Sequence, residues 1–453
     1  MRKAEQRAEK NGKSEFAAWL KVCRHFFSDL PQWLNSMVDP RNRAYITYEQ
    51  AVLVMMCIMK NVSGIVTMRN MNIIFNESAA IENLACLAGE DGLGEMPDWQ
   101  TANNYFERLD PVELEKIRHK MIFRLLRCRQ FDRYKFNGCW KLIIDGTGIA
   151  CFKERHCEHD LVMTHKDPET GKETTFYYHK ILEAKIILAP NVVVSIGTEF
   201  IENENENVTK QDCETNAAKR LLKRLKDDYP RLPVCVLADG LYATMPFMEL
   251  CSGFKWNYIL NLKDGTQRNI AEDFRLLVET KGYRWSVTNL CAPENGTGAF
   301  RNGMEEISGK EQVCNVFEYR HDVTVKGKKK ELRFVWVTNM RITMSNLESF
   351  IKTGRERWKI ENEGFNNQKN GIYRIEHLCS RDPNAMKVHY LITQISDMIM
   401  QLYLAFGKIL NAVKRSVKSI AQRIGEFFWH VHLTSEEKES IDRREALRII
   451  FVK

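Results

Sequence analysis

The sequence has no apolar run near the roughly 18 residues that cross a bilayer; its longest, Ala51–Met59, is about half that length. A membrane span is therefore not expected. The first residues, MRKAEQRAEKNGKSEF, are charged and carry no apolar core, so no secretory signal is read there. The 13 cysteines form no Cys-x-x-Cys pair and are odd in number. Such scatter fits buried thiols in a reducing compartment better than a disulfide framework, and the expectation is a cytoplasmic protein. Internal repeats and low-complexity tracts are also missing, which excludes solenoid and fibrous classes.

What is present is a globular composition, 44% hydrophobic and 28% charged, over 453 residues, a length that calls for two or three domains. The net charge of +8 is modest, but its distribution is uneven. Between Lys116 and Lys141 stand Arg118, Lys120, Arg124, Arg127, Arg129, Arg133 and Lys135 against one acid, Asp132. A second basic run covers Lys408 to Arg423. Either run alone reads equally well as a solvated helix face; two flanking one acidic region point to a polyanion such as nucleic acid.

Residues 15–135 read as helical, with Thr47 and Gln50 spaced as a capping box before an apolar helix, and a break near Pro111. From Lys141 the texture changes to short β-branched runs: Lys141–Gly148, Tyr177–Leu188, Asn191–Ile201, Leu232–Gly240 and Trp256–Asp264. Helical patterns at Lys210–Tyr229 and Ala243–Phe254 fall between them, so the class is α/β with a mixed sheet. Val313–Asn339 looks like further strands around a Lys/Gly hairpin, and helix resumes after Met344.

Two aspartates close apolar runs: Asp145 after LII and Asp239 after VCVLA, each followed by glycine. A local turn role is the simpler account of one such Asp-Gly; for two from one sheet, turn capping and a bound cation or ligand weigh equally. In RERWKIENEGFNNQKN (Arg355–Asn370), helical spacing puts Glu361 on the face of Arg357, while Glu363 points about 200° away; a simple Arg–Glu surface pair fits the same spacing. Trp358 and Phe365 form an adjoining apolar stripe, and position 368 returns to the Glu361 face.

Asp145, Asp239 and Glu361, with HCEH (His156–His159), YYHKILEAKIIL, KQDCETNAAKRLLKRLK, LADGLYA and ENEGFNNQKNGIYRIEH in that order, resemble the DDE-type transposases of bacterial insertion sequences, in the subgroup with a Tyr-x2-Arg-x3-Glu-x6-Lys signature. The resemblance covers roughly Lys141 to Tyr403. It implies a ribonuclease H-like catalytic domain over about 137–400 with a β-rich insertion near 265–340, a helical DNA-binding domain over 1–136, and a basic helical region over 401–453. It implies two Mg²⁺ or Mn²⁺ ions on Asp145, Asp239 and Glu361, Asp145 bridging. Arg357 would contact a phosphate. Arg124, Arg127 and Arg129 would lie on backbone phosphates of the terminal inverted repeats. The partners would be those repeats and target DNA, in a homodimeric synaptic complex on a bacterial nucleoid. The signature Tyr falls at Gly354 and the signature Lys at Gln368, with Lys369 one residue later. Those departures keep two other readings open: a DNA-binding derivative without transposition, and a metal-dependent DNA nuclease.

Three other features carry competing readings. His156, Cys157 and His159 could ligate zinc, although polar loop packing accounts for them more simply. KQDCE (Lys210–Glu214) opens a helix, where acids complement the dipole in a structural role; a position near the active site is what the family resemblance offers instead. Trp285 or Trp336 could stack on a flipped base, whereas core packing is the commoner use of such a residue and the expected one for Trp140.

Overall fold

The computed structural model describes residues 14–262, 268–281, 285–287, 296–305, 313–325, 328–406 and 415–443. The N-terminal helices are α1 (Glu15–Phe27), α2 (Leu30–Asn35), α3 (Gln50–Val62), α4 (Met68–Ile74), α5 (Ser78–Ala88), α6 (Trp99–Phe106) and α7 (Pro111–Leu126). The anticipated break near Pro111 is the start of α7, where proline occupies the first turn and Asp110 accepts the Val112 N–H. The Thr47–Gln50 capping box does not form. Helix α3 begins at Gln50, whose buried amide instead donates to the Met37 carbonyl and accepts the Tyr105 hydroxyl.

The central layer runs β1 (Trp140–Phe152), β2 (Leu161–Lys166), β3 (Glu173–Ala189), β4 (Val192–Ile201), α8 (Glu214–Asp228), β5 (Val234–Ala238), α9 (Met245–Gly253) and β6 (Asn257–Asn261). Strand β1 is antiparallel to β3, which pairs on its other edge with β4, while β5 and β6 continue parallel to β1. The order β4-β3-β1-β5-β6, three antiparallel strands and then two parallel ones, is a ribonuclease H-like sheet. Strand β2 was not anticipated; it adds to the N-terminal half of the long β3.

The segment after β6 contains a helix, α10 (Arg268–Lys281), then β7 (Trp285–Val287), β8 (Gly296–Met304), β9 (Cys314–Val325) and β10 (Lys328–Thr338). These strands do not make a separate sheet. β10 pairs with β6, so the insertion prolongs the central sheet to ten strands. Beyond it come α11 (Leu347–Arg355), an irregular stretch, α12 (Asn367–Asn370), α13 (Pro383–Phe406), α14 (Val417–His430) and α15 (Ser435–Asp442).

Strand alternation decides what meets each face of the sheet. Helix α8 packs on β3 and β4, and its Leu221 and Leu225 fit against Gly197, where a Cβ would come within 2.9 Å of Leu221 Cδ1. Helix α13 also packs on β4 and reaches α1, α3 and α7, while α14 and α15 return onto α1. The terminal helices are thus packed together, and residue 400 lies inside α13. Arg415 and Arg423 of the second basic run both pair with buried Glu15, at 3.2 and 3.6 Å, so they serve internal packing; residues 407–414 of that run lie outside the described residues.

Candidate active site

Asp145 stands mid-strand, since β1 continues to Phe152, rather than at the strand end that its Gly-Thr-Gly flank suggests. The strand that ends is its neighbour. Ile143 is level with Leu237 in the parallel pair, and β5 stops at Ala238, so two residues on Asp145 and Asp239 emerge side by side. Asp239 turns the chain into a short 3-10 segment by accepting the Leu241 N–H at 2.9 Å.

The third acid comes from the irregular stretch. Glu356–Trp358 is a 3-10 turn and Ile360–Asn366 a π-helix, so the regular α-helical wheel expected here does not hold. One pairing survives the change. Arg357 Nη2 lies 2.7 Å from Glu361 Oε1, and its Nη1 lies 3.7 Å from Asp145 Oδ2. Glu363 pairs with Lys359 at 2.7 Å. The apolar stripe is not formed as expected: Phe365 is buried but Trp358 is half exposed. Lys141, at the start of β1, holds Glu356 at 2.6 Å and so ties the 3-10 turn to the strand bearing Asp145. π-Helical turns are rare and concentrate at functional sites.

The site's charge balance is acidic. Burial, with Glu361 and Asp239 nearby, raises the Asp145 carboxyl to about 6, against the opposing pull of Arg357 and the Gly146 N–H. Its side chain is 19% exposed, whereas Glu361 is 50% exposed and faces solvent. Carboxylate oxygens are hard donors that fit Mg²⁺ or Mn²⁺.

A fourth acid, for which a structural role is the expectation and a place near the active site the alternative, lies at the site. Glu214, in the first turn of α8, reaches the edge from the other face of the sheet, bonds Lys180, and accepts the Tyr242 hydroxyl at 3.1 Å. Its carboxyl lies against Gly146; a Cβ there would come within 2.6 Å of Glu214 Cδ, so the glycine after Asp145 is a requirement of close approach. Burial and the carboxylates of Glu214, Asp145 and Asp239 together push the Tyr242 hydroxyl well above its ordinary range. The signal was the acid in KQDCE, but only the tertiary fold brings it to β1.

The other expected residues are dispersed. Lys369 pairs with Glu376 at 2.8 Å, and Gln368 is fully buried, donating to Asp397 and Gln394 at 2.7 and 3.0 Å. Position 368 therefore points into the core and not along the Glu361 face. Gly354 backs onto Trp336, with room for no side chain: a Cβ would lie 2.8 Å from the ring. Trp336 itself is buried and stacked on Phe317 and Phe334, which removes it as a base-stacking residue; the Trp285 side chain lies outside the described residues. Trp140 is buried as expected.

Within the first basic cluster, Arg118 is buried under the sheet, donating to Ser195 and Thr198 at 2.5 and 2.7 Å. Arg124 pairs with Asp29 and lies over the Trp33 ring, while Arg127 and Arg129 are exposed. His159 is turned away from Cys157, its Nδ1 3.0 Å from the Asn203 carbonyl oxygen.

No helix among the described residues is long and apolar enough to cross a membrane. No curated protein matches the sequence. A cryo-EM structure of the piggyBac transposase synaptic complex with hairpin DNA aligns over 93% of this chain and 81% of that one, with 12% identity and a TM-score of 0.41. Residues 140–396, more than half of the chain and the span that carries Asp145, Asp239 and Glu361, match the transposase DDE domain, and the chain belongs to that family.

Proposed function

We propose that the chain is a DNA transposase that cleaves the ends of its element and joins them to target DNA. The observation that carries this reading is the convergence of Asp145 and Glu361 on Arg357, beside Asp239, where β5 ends alongside the middle of β1. Asp145, Asp239 and Glu361 would hold two Mg²⁺ or Mn²⁺ ions, Asp145 serving both. When bound, such ions polarise the scissile phosphate and acidify the attacking water or hydroxyl.

The chain's own residues prepare that chemistry. Arg357 stands between Glu361 and Asp145, and its planar fork would donate to a phosphate oxygen brought to those carboxylates. Glu214, held by Lys180 and Tyr242, packs behind Gly146 without occupying the open side. Exposed Arg127 and Arg129, with Lys369, offer backbone-phosphate contacts, and pairing of two ends would call for a homodimer. Action on DNA in a bacterial cell would put the protein in the cytoplasm, on the nucleoid.

The second reading, a DNA-binding derivative without transposition, is favoured by Gly354 and Gln368, both built into the core where the signature has Tyr and Lys. A Mg²⁺ assay on DNA carrying the sequences that flank its gene separates the two. Cleavage at the ends with strand-transfer products, lost in Asp145→Asn, Asp239→Asn and Glu361→Gln while DNA binding persists, is expected. Binding without cleavage would favour the derivative; end-independent cutting without joining would favour a nuclease.

A further inference from the structure

At the far end of β1, away from the carboxylates, four side chains from two sequence regions converge. Among the described residues, His156, Cys157, Asp160 and His179 are the one group of His, Cys and acidic side chains whose donor atoms all lie within 4.8 Å of each other. His179 Nε2 is 3.0 Å from Asp160 Oδ1, Cys157 Sγ is 3.4 Å from the same oxygen, and Sγ and Nε2 are 4.0 Å apart. Tetrahedral zinc with imidazole, thiolate and carboxylate bonds sets its donor atoms about 3.3–3.7 Å apart. The four donors need only small movements to meet that spacing.

The surroundings hold the donors in place. Asp160 Oδ2 accepts the backbone N–H groups of His156 and Cys157 at 2.5 and 3.0 Å, which leaves Oδ1 aimed at the other two donors. The His156 ring stacks on Phe152 at 4.4 Å, and its Nδ1 is buried with no hydrogen-bond partner. Asp160 is fully buried and His179 nearly so. Such orientation of ligands by second partners is the usual support of a metal site.

We propose that His156, Cys157, Asp160 and His179 form a structural zinc site that staples the β1–β2 connection to β3. The donor set decides the ion: one thiolate and two imidazoles favour zinc over the hard cations suited to the carboxylate trio. With one thiolate, one carboxylate and two neutral imidazoles, the bound dication leaves no net charge in a buried place. All four positions are filled by protein, which leaves no open position for a substrate and makes the site structural. The site also stiffens the approach to the active site, because Asn203 ties Asp160 to the start of α8: its amide donates to the Asp160 carbonyl and its Oδ1 accepts the Asp212 N–H.

The test is the metal content of the full chain, purified without chelators. One zinc per chain is expected, kept in Asp145→Asn and lost in Cys157→Ser and in His179→Gln. Because those variants can also disturb folding, cobalt is loaded into the unaltered chain. A thiolate-to-cobalt charge-transfer band with the intense visible bands of four-coordinate cobalt is expected. Zinc well below stoichiometry with only weak six-coordinate cobalt bands would overturn the proposal and leave the cluster as hydrogen-bonded packing. Zinc lost from Asp145→Asn but kept in His179→Gln would also overturn it, placing the ion on the carboxylates. Neither readout depends on DNA cleavage.

Discussion

Asp145 and Glu183 face each other directly across β1 and β3, two acids on one side of one sheet about 5 Å apart in backbone. Their environments are opposite. Glu183 is wholly buried and accepts hydroxyls from Ser195, Thr198 and Tyr390, with Arg118 at 3.7 Å. Asp145 has the Gly146 N–H at 2.9 Å and a guanidinium at 3.7 Å, and opens toward solvent beside two more acids. A carboxylate that holds a fold together is saturated with donors; one that works on a ligand keeps oxygen lone pairs in reserve.

Substitution should give the two acids opposite phenotypes. Asp145→Asn should lower end-cleavage rates by about 10³-fold or more, near 4 kcal/mol in the barrier, with DNA affinity little changed in a gel-shift titration. Glu183→Ala should do the reverse. Arg118 would keep its pair with Glu115, but the buried hydroxyls of Ser195, Thr198 and Tyr390 would lose their common acceptor, which should cost about 3–5 kcal/mol in denaturant unfolding, and any loss of activity should follow the loss of folded protein.

A smaller effect has the opposite sign. The Asp145 carboxyl titrates near 6 in the folded chain against 3.8 as its ordinary value, so folding binds a proton between those limits. The stabilisation tied to the protonated form is complete below about pH 4 and is lost as pH rises through 6. Metal-free Asp145→Asn should therefore be more stable than the parent at pH 7.5, by about 1–3 kcal/mol, and the gain should vanish toward pH 4 in melting curves. Of similar size is Gly354→Ala: its Cβ against the Trp336 ring should cost about 1–3 kcal/mol while leaving the metal requirement of cleavage unchanged.

The same contrast explains what could be read from the residues alone. Local patterns carried β1, β3, β4, α8, β5, α9 and β6 in order, because alternation and apolar runs are properties of neighbours in sequence. The Arg357–Glu361 pair was legible for the same reason, even though the helix holding it proved irregular. What escaped depends on distant packing. Nothing near Arg118 announces that β4 buries it, nothing near Gly354 announces Trp336, and Glu214 meets Gly146 only after α8 folds onto the sheet. The His-Cys cluster was half visible: His156, Cys157 and Asp160 are near in sequence, but His179, which takes the place expected for His159, is brought in by the β1–β3 pairing.

The most direct test of the account is Mn²⁺ binding to the zinc-loaded chain, followed by electron paramagnetic resonance, since it needs no knowledge of the DNA ends. Binding by the parent protein is expected, weakened at least about tenfold by Asp145→Asn, Asp239→Asn or Glu361→Gln and unaffected by Glu363→Gln. Equal Mn²⁺ affinity in the parent and all three of the first variants would contradict the assignment of Asp145, Asp239 and Glu361 as the metal-holding acids.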